Sequence, residues 1–117
     1  MRERTESLKS VSGHRLHLRV WEPERRAVAS GADNHGGAAL IIHGLGEHGG
    51  RYPHVAEHLT ERGFSVYAAD LVGFGRSGGR RGDAPGALLT YEADCRNLLE
   101  QMSAELGPST RKIVLGH

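Results

Sequence analysis

Residues 38–46 read Ala-Ala-Leu-Ile-Ile-His-Gly-Leu-Gly, a continuous apolar run that ends in a glycine-containing turn. Two further apolar runs occupy residues 64–69 and 112–116. An apolar run without alternation is typical of a strand that is covered on both faces, as in a parallel sheet. The three segments therefore predict three buried strands.

Helical patterns separate these strands. Between 52 and 62, apolar residues recur on one stripe, Pro53 suits the first helical position, and Gly63 follows as a stop signal. A second helix is predicted over 88–106, where the apolar positions expected to face inward are Leu98, Leu99, Met102 and Leu106. Strands that alternate with helices predict a parallel sheet with right-handed crossovers.

The N-terminal region has a different period. Residues 5–11 alternate weakly, Ser12-Gly13 suits a tight turn, and residues 14–21 place apolar side chains at every second position. This pattern predicts an antiparallel hairpin whose second strand has one buried face and one solvent face, with His17 on the solvent face. Residues 24–37 and 70–86 are expected to be loops. The whole chain, 1–117, is predicted to be one α/β domain in the order β-β-β-α-β-α-β.

Composition excludes several classes of protein. The 117 residues include 15 Lys and Arg against 14 Asp and Glu, so a nucleic acid or an anionic membrane is not an expected partner. Cys95 is the only cysteine, which rules out a disulfide within the chain and is compatible with a reducing, cytoplasmic location. Residues 1–20 contain no apolar run, so no signal peptide or transmembrane segment is predicted. The sequence does not indicate an oligomeric state.

Two motifs carry a resemblance. His43 begins a block, His-Gly-Leu-Gly-Glu-His-Gly-Gly-Arg-Tyr, and Asp70 begins a second, Asp-Leu-Val-Gly-Phe-Gly-Arg-Ser. They resemble the monoacylglycerol lipase, lysophospholipase and serine aminopeptidase S33-like branch of the α/β-hydrolases, in which H-G-x-G-E-H-x-x-R-Y precedes a strand and D-x-x-G-x-G-x-S. The resemblance implies that this chain is the N-terminal part of an α/β-hydrolase fold.

The turn from His43 to Gly46 has a chemical interpretation of its own. Glycine lets the backbone approach a bound ligand closely, and acyl transfer needs preorganised N–H donors where negative charge develops. By resemblance, the Leu45 N–H is the first oxyanion-hole donor, and His43, Gly44 and Gly46 support the turn. The alternatives are a turn without chemistry and a phosphate-binding turn. A nucleotide site is disfavoured because neither G-x-G-x-x-G nor Gly-Lys-Ser/Thr follows the strand.

The last residues, Val114 to His117, end where the resembling family places its nucleophile elbow. There a buried strand leads into Gly-His-Ser-x-Gly, so Gly116 and His117 correspond to its first two positions. The resemblance implies a serine hydrolase acting on monoacylglycerols, lysophospholipids or other carboxylic esters, without a cofactor and with peripheral membrane association. None of the triad is expected within 1–117, so this chain alone is predicted to be inactive. It is also predicted to be weakly stable, because in the resembling family the sheet continues beyond this strand, which would here be an uncovered edge. A non-catalytic remnant or interaction module is the alternative.

Two other patterns compete with this interpretation. Ser77 lies in Gly-Arg-Ser-Gly-Gly, which spells G-x-S-x-G, but no strand runs directly into it and no helix start follows. His54, Glu57 and His58 spell the H-x-x-E-H of inverted zinc peptidases and suggest a metal-dependent hydrolase. A solvated helix face explains those three residues without a metal, and no distal ligand is identifiable. We therefore expect no metal site.

Overall fold

A computed structural model describes residues 1–24, 36–80 and 87–117. The elements are β1 (Arg2–Lys9), β2 (Arg15–Glu22), β3 (Ala38–Ile42), α1 (Pro53–Glu61), β4 (Ser65–Ala69), α2 (Ala87–Leu106) and β5 (Lys112–Gly116), with a short 3₁₀ turn at Gly49–Arg51. The predicted order is confirmed, although β1 begins three residues earlier than expected. Parts of the two predicted loops, 25–35 and 81–86, lie outside the described residues.

The strands form one mixed sheet in the order β1-β2-β4-β3-β5. The first two strands pair antiparallel as a hairpin, and β2 also pairs antiparallel with β4. The three apolar strands run parallel to one another, with β3 between β4 and β5. Since Ile42 lies opposite Gly116, the carboxyl ends of β3 and β5 meet at the same edge of the sheet.

One helix covers each face of the sheet, which explains why the central strands are apolar throughout. On the α2 face the buried cluster consists of Leu18, Val20, Ala38, Leu40, Tyr67, Ala69, Leu98 and Met102. On the α1 face it consists of Trp21, Ala39, Ile41, Ala56, Val66 and Ala68. Alternate residues of one strand enter opposite clusters, as the two-residue period of a strand requires. The predicted inward stripes of both helices pack against these clusters.

The expectation for β2 was wrong on one face. The face that carries His17 was predicted to meet solvent, yet His17 and Arg19 on that face are only 9% and 8% exposed. The loop after β4 crosses this end of the strand: Asp70 donates its N–H to the His17 carbonyl at 2.8 Å, and the His17 N–H donates to Ser77 Oγ at 2.8 Å. A period of two shows that side chains alternate between faces, but it does not show what covers the second face.

Candidate active site

The turn after β3 lies directly against the end of β5. A Cβ atom on Gly44 would be 3.3 Å from His117 Nδ1 and 3.5 Å from the His117 carbonyl oxygen. The His117 N–H continues the parallel pairing by donating to the Ile42 carbonyl at 3.0 Å. A side chain at position 44 would press on the His117 ring, which would have to shift by a few tenths of an ångström, so glycine allows the closest approach of the two segments.

His43 fastens this turn to the loop that follows β4. Its ring is buried, and its Nε2 accepts the Leu71 N–H at 2.9 Å. Because Nε2 is an acceptor, the ring proton is assigned to Nδ1, which donates to the Gly44 carbonyl at 2.8 Å. The ring also packs edge-on against Phe74, with centroids 5.6 Å apart. Both nitrogens are used in holding the turn, so this histidine has a structural task.

Leu45 stands at the tip of the same turn. Its side chain is 80% exposed. Within residues 1–24, 36–80 and 87–117, no acceptor takes its N–H. Gly46 follows with φ +79°, a conformation that favours glycine. The turn thus leaves a main-chain donor uncommitted next to the end of β5.

Glu47 forms a polar cluster that the sequence did not single out. Its Oε1 accepts hydrogen bonds from the Tyr52 hydroxyl at 2.6 Å and the Gly44 N–H at 3.3 Å, and lies 3.3 Å from His117 Nδ1. The hydrogen bond from Tyr52 is the largest cause that lowers the pKa of Glu47 to about 2. Burial, and then the bond to Glu47, raise the pKa of Tyr52. In the sequence, this pair was indicated only by the presence of Glu47 and Tyr52 in the first motif.

Asp70 is a buried centre of hydrogen bonds. It is fully buried, with Oδ1 accepting from the Arg19 guanidinium at 2.8 Å and from the Gly49 N–H at 2.7 Å. Its Oδ2 accepts the Arg76 N–H at 2.9 Å. A Cβ atom on Gly75, whose φ is +54°, would lie 2.3 Å from Oδ2, so the second motif needs glycine there. The sequence predicted a loop at this place but did not indicate Arg19 as the partner of Asp70.

Ser77 is positioned as part of that turn. Its hydroxyl donates to the Asp70 carbonyl and accepts the His17 N–H. The residues on either side form turns and bends rather than a strand running into a helix. Because no strand runs into Ser77 and residues 78–80 are not helical, the G-x-S-x-G match lacks the context of a nucleophile elbow.

The zinc-peptidase pattern also lacks a supporting site. His54, Glu57 and His58 are all exposed on α1. In the described ranges, no group of three or more His, Cys, Asp or Glu side chains converges closely enough to hold a metal ion. These residues therefore have the arrangement of a solvated helix face.

Open space lies on both sides of the Glu47 cluster. An apolar hollow of about 150 Å³ is lined by Ile41, Tyr52, Val55, Leu115, Gly116 and His117. A more polar cleft of about 330 Å³ is lined by Gly46, Glu47, His48, Gly73, Phe74, Gly75, Ser77 and Gly79.

Of the helices in the described residues, neither α1 nor α2 has the length and apolar character that crossing a membrane requires.

Comparison with known proteins shows which family the sequence matches. The sequence profile of the serine aminopeptidase S33 family matches residues 33–117. The chain is 37% identical over 111 residues to a monoacylglycerol lipase of Mycolicibacterium smegmatis, covering 95% of this chain and 36% of the relative. It is 30% identical over 112 residues to the monoglyceride lipase of Rattus norvegicus, covering 94% and 33%.

Solved structures agree with the sequence relatives. A carboxyl esterase from Bacillus coagulans superposes with a TM-score of 0.80 and 27% identity, covering 100% of this chain and 36% of that protein. A structure described as an open-form lipase gives a TM-score of 0.79 at 27% identity, with coverages of 99% and 36%. The chain therefore spans little more than a third of the length of these relatives.

Proposed function

Since the chain belongs to the serine aminopeptidase S33 family of α/β-hydrolases, we propose that it supplies the oxyanion loop and the start of the nucleophile elbow of a serine hydrolase that cleaves carboxylic esters. Monoacylglycerols and related lipid esters are the proposed substrate class, because two of its relatives are named monoacylglycerol and monoglyceride lipases. No cofactor is needed for this chemistry.

One observation carries the proposal: Gly44 lies against His117, with only 3.3 Å between its Cβ position and the ring. A residue joined to His117 has its Cα about 3.8 Å farther along the chain. A serine at that position would lie beside the turn whose Leu45 N–H is uncommitted. An oxyanion hole needs this arrangement, in which donors stand ready where the attacked carbonyl oxygen becomes negative.

The proposed reaction follows from these positions. A serine after His117 attacks the ester carbonyl and takes the acyl group, while a histidine accepts the serine proton and passes it to the leaving alcohol. The same histidine, oriented by a carboxylate, then takes a proton from water, which attacks the acyl-serine, releases the carboxylic acid and restores the serine. The Leu45 N–H and the N–H of the residue after the serine hold the oxyanion. Within 1–117 we assign no triad member, so residues 1–117 alone are proposed to be inactive.

The test uses the complete natural polypeptide that carries residues 1–117. We expect it to hydrolyse p-nitrophenyl butyrate and 1-monoacylglycerols, and to be labelled by a fluorophosphonate on a serine directly after His117. Labelling of Ser77, or hydrolysis that a chelator abolishes and zinc restores, would contradict the proposal.

Leu45→Pro tests the oxyanion donor itself. Proline lacks the N–H, so we expect kcat to fall about 10²–10³-fold, as when one oxyanion-hole donor is lost. Leu45→Ala keeps the N–H and removes only an exposed side chain, so it should retain the activity and serves as the matched control. A Leu45→Pro protein with unchanged melting temperature and full kcat would show that this donor is not used.

A further inference from the structure

Glu47 lies where three segments of the chain meet. It follows the β3 turn, it accepts a hydrogen bond from the Tyr52 hydroxyl at the start of α1, and it contacts His117 at the end of β5. Both carboxylate oxygens are 3.3 Å from His117 Nδ1, and the Gly44 N–H reaches Oε1 at 3.3 Å. One carboxylate therefore joins segments that are distant in the sequence.

The donors and acceptors around His117 indicate which of its ring nitrogens carries a proton. Since the pKa of Glu47 is lowered to about 2, its carboxylate is ionised near neutral pH and only accepts hydrogen bonds. Tyr52 has one hydroxyl proton, which goes to Oε1 at 2.6 Å, so its oxygen can only accept from His117 Nδ1 at 3.4 Å. Both neighbours of Nδ1 are acceptors, so a proton is assigned to Nδ1.

We propose that Glu47 is a positioning residue, which holds His117 with its proton on Nδ1 and thereby keeps the end of β5 in fixed register with the 43–46 turn. This role rests on the proposed function, because the register matters most if the residue after His117 is the nucleophile. The oxyanion donor and the nucleophile come from different strands, and a misplacement of about 1 Å between reacting groups can lower a rate about 10²-fold.

Folding stability alone explains the contact between Glu47 and His117 less well than the positioning role does. The His117 side chain is 69% exposed and that of Glu47 is 20% exposed. Ion pairs in contact with water contribute little to folding, because solvent screens them and two side chains must be ordered. The cluster should therefore affect geometry and rate more than the melting temperature.

The experiment compares Glu47→Gln, Glu47→Asp and Glu61→Gln in the complete natural polypeptide. Glutamine removes the charge and presents an amide donor, while aspartate keeps the charge but is one methylene too short to span the three contacts. Glu61 is exposed at the end of α1 and outside the Glu47 cluster, so its change is the matched loss of one charge. For each protein we would measure kcat and KM on p-nitrophenyl butyrate, the melting temperature, and the ¹⁵N shifts of the His117 ring.

We expect Glu47→Gln and Glu47→Asp to lower kcat roughly 10–100-fold with KM nearly unchanged. The ¹⁵N shifts should show that His117 loses its predominant Nδ1–H form in Glu47→Gln. Glu61→Gln should match the wild type in every measurement. A wild-type kcat in Glu47→Asp, or an unaltered His117 ring in Glu47→Gln, would overturn the positioning role. If the wild type hydrolyses no ester, the proposed function fails, and the ring shifts alone then decide the role of Glu47.

Discussion

At the residue scale, the histidines of this chain have tasks that their motifs do not reveal. His43, in a motif that resembles an active-site turn, uses both ring nitrogens to fasten that turn. His54 and His58, which match a metal-binding pattern, are exposed on a helix. His17, expected at the surface, is buried, and its Nε2 has no hydrogen-bond partner in the described structure. The environment, and not the residue type, separates these roles.

His17 should make the protein sensitive to mild acid. Burial, followed by the nearby Arg19 charge, lowers its pKa below the ordinary 6.5. Below about pH 6.5 the unfolded chain therefore binds a proton that the folded protein does not, and stability falls as the pH falls. The slope from one such group cannot exceed about 1.4 kcal/mol per pH unit. We expect His17→Gln to flatten the decline in unfolding free energy between pH 7 and pH 5, measured by urea denaturation.

The control for this prediction is His58→Gln, because His58 is exposed on α1. Its stability curve should follow that of the wild type. If His17→Gln and the wild type lose stability equally between pH 7 and pH 5, His17 is not the acid-sensitive group.

At the element scale, two kinds of contact attach α2 to the sheet: apolar packing in the core and hydrogen bonds to the β1–β2 turn. Leu98 and Met102 enter the core, as the helical period predicted. The polar contact was not predicted: buried Asp94 accepts hydrogen bonds from Ser10 Oγ at 2.7 Å and from the Val11 N–H at 2.9 Å. These bonds tie the β1–β2 turn to α2 across more than 80 residues of sequence, a separation at which local patterns carry no information.

Asp94→Ala should therefore destabilise the fold. It would remove the carboxylate partner of the buried Ser10 hydroxyl and leave the partly buried Val11 N–H without its acceptor, which costs roughly 1–3 kcal/mol of unfolding free energy. Glu92→Ala on the same helix is the control, because the pair that Glu92 forms with Arg96 at 3.5 Å is exposed. Such pairs contribute about 0.3–0.5 kcal/mol. Equal midpoints for the two variants in urea would show that the Asp94 contact is dispensable.

At the scale of the whole molecule, the sheet has contrasting edges. The β1 edge strand is polar at every position except Leu8. The β5 edge belongs to an apolar strand whose Val114 and Leu115 are 50% and 40% exposed. An exposed apolar strand with unpaired backbone groups is a template for association.

Residues 1–117 expressed alone should therefore be weakly stable and prone to associate. We expect a broad thermal transition, a sedimentation profile that shifts with concentration, and no enzyme-like hydrolysis of p-nitrophenyl butyrate. Val114→Lys, which places a charge on the exposed edge, should reduce the association without restoring activity. A sharp cooperative melt of a monomer, or hydrolysis at an enzyme-like rate, would refute this prediction.

The sequence by itself determined the order of the elements, the identity of the buried strands and the glycine turns next to them. These features depend on local periodicity and on steric rules that act within a few residues, so they can be read along the chain. It also indicated the family, because His43 to Tyr52 and Asp70 to Ser77 match that family in residue type and spacing.

Only the tertiary structure decided which face of β2 is covered, that Arg19 pairs with Asp70, and that Glu47, Tyr52 and His117 converge. Each of these contacts joins segments brought together by the strand order β2-β4-β3-β5. A polar side chain on a strand or in a turn has the same local sequence whether it meets water or a distant partner. Its burial and hydrogen bonds are therefore fixed by the packing of the whole sheet and not by its neighbours in the chain.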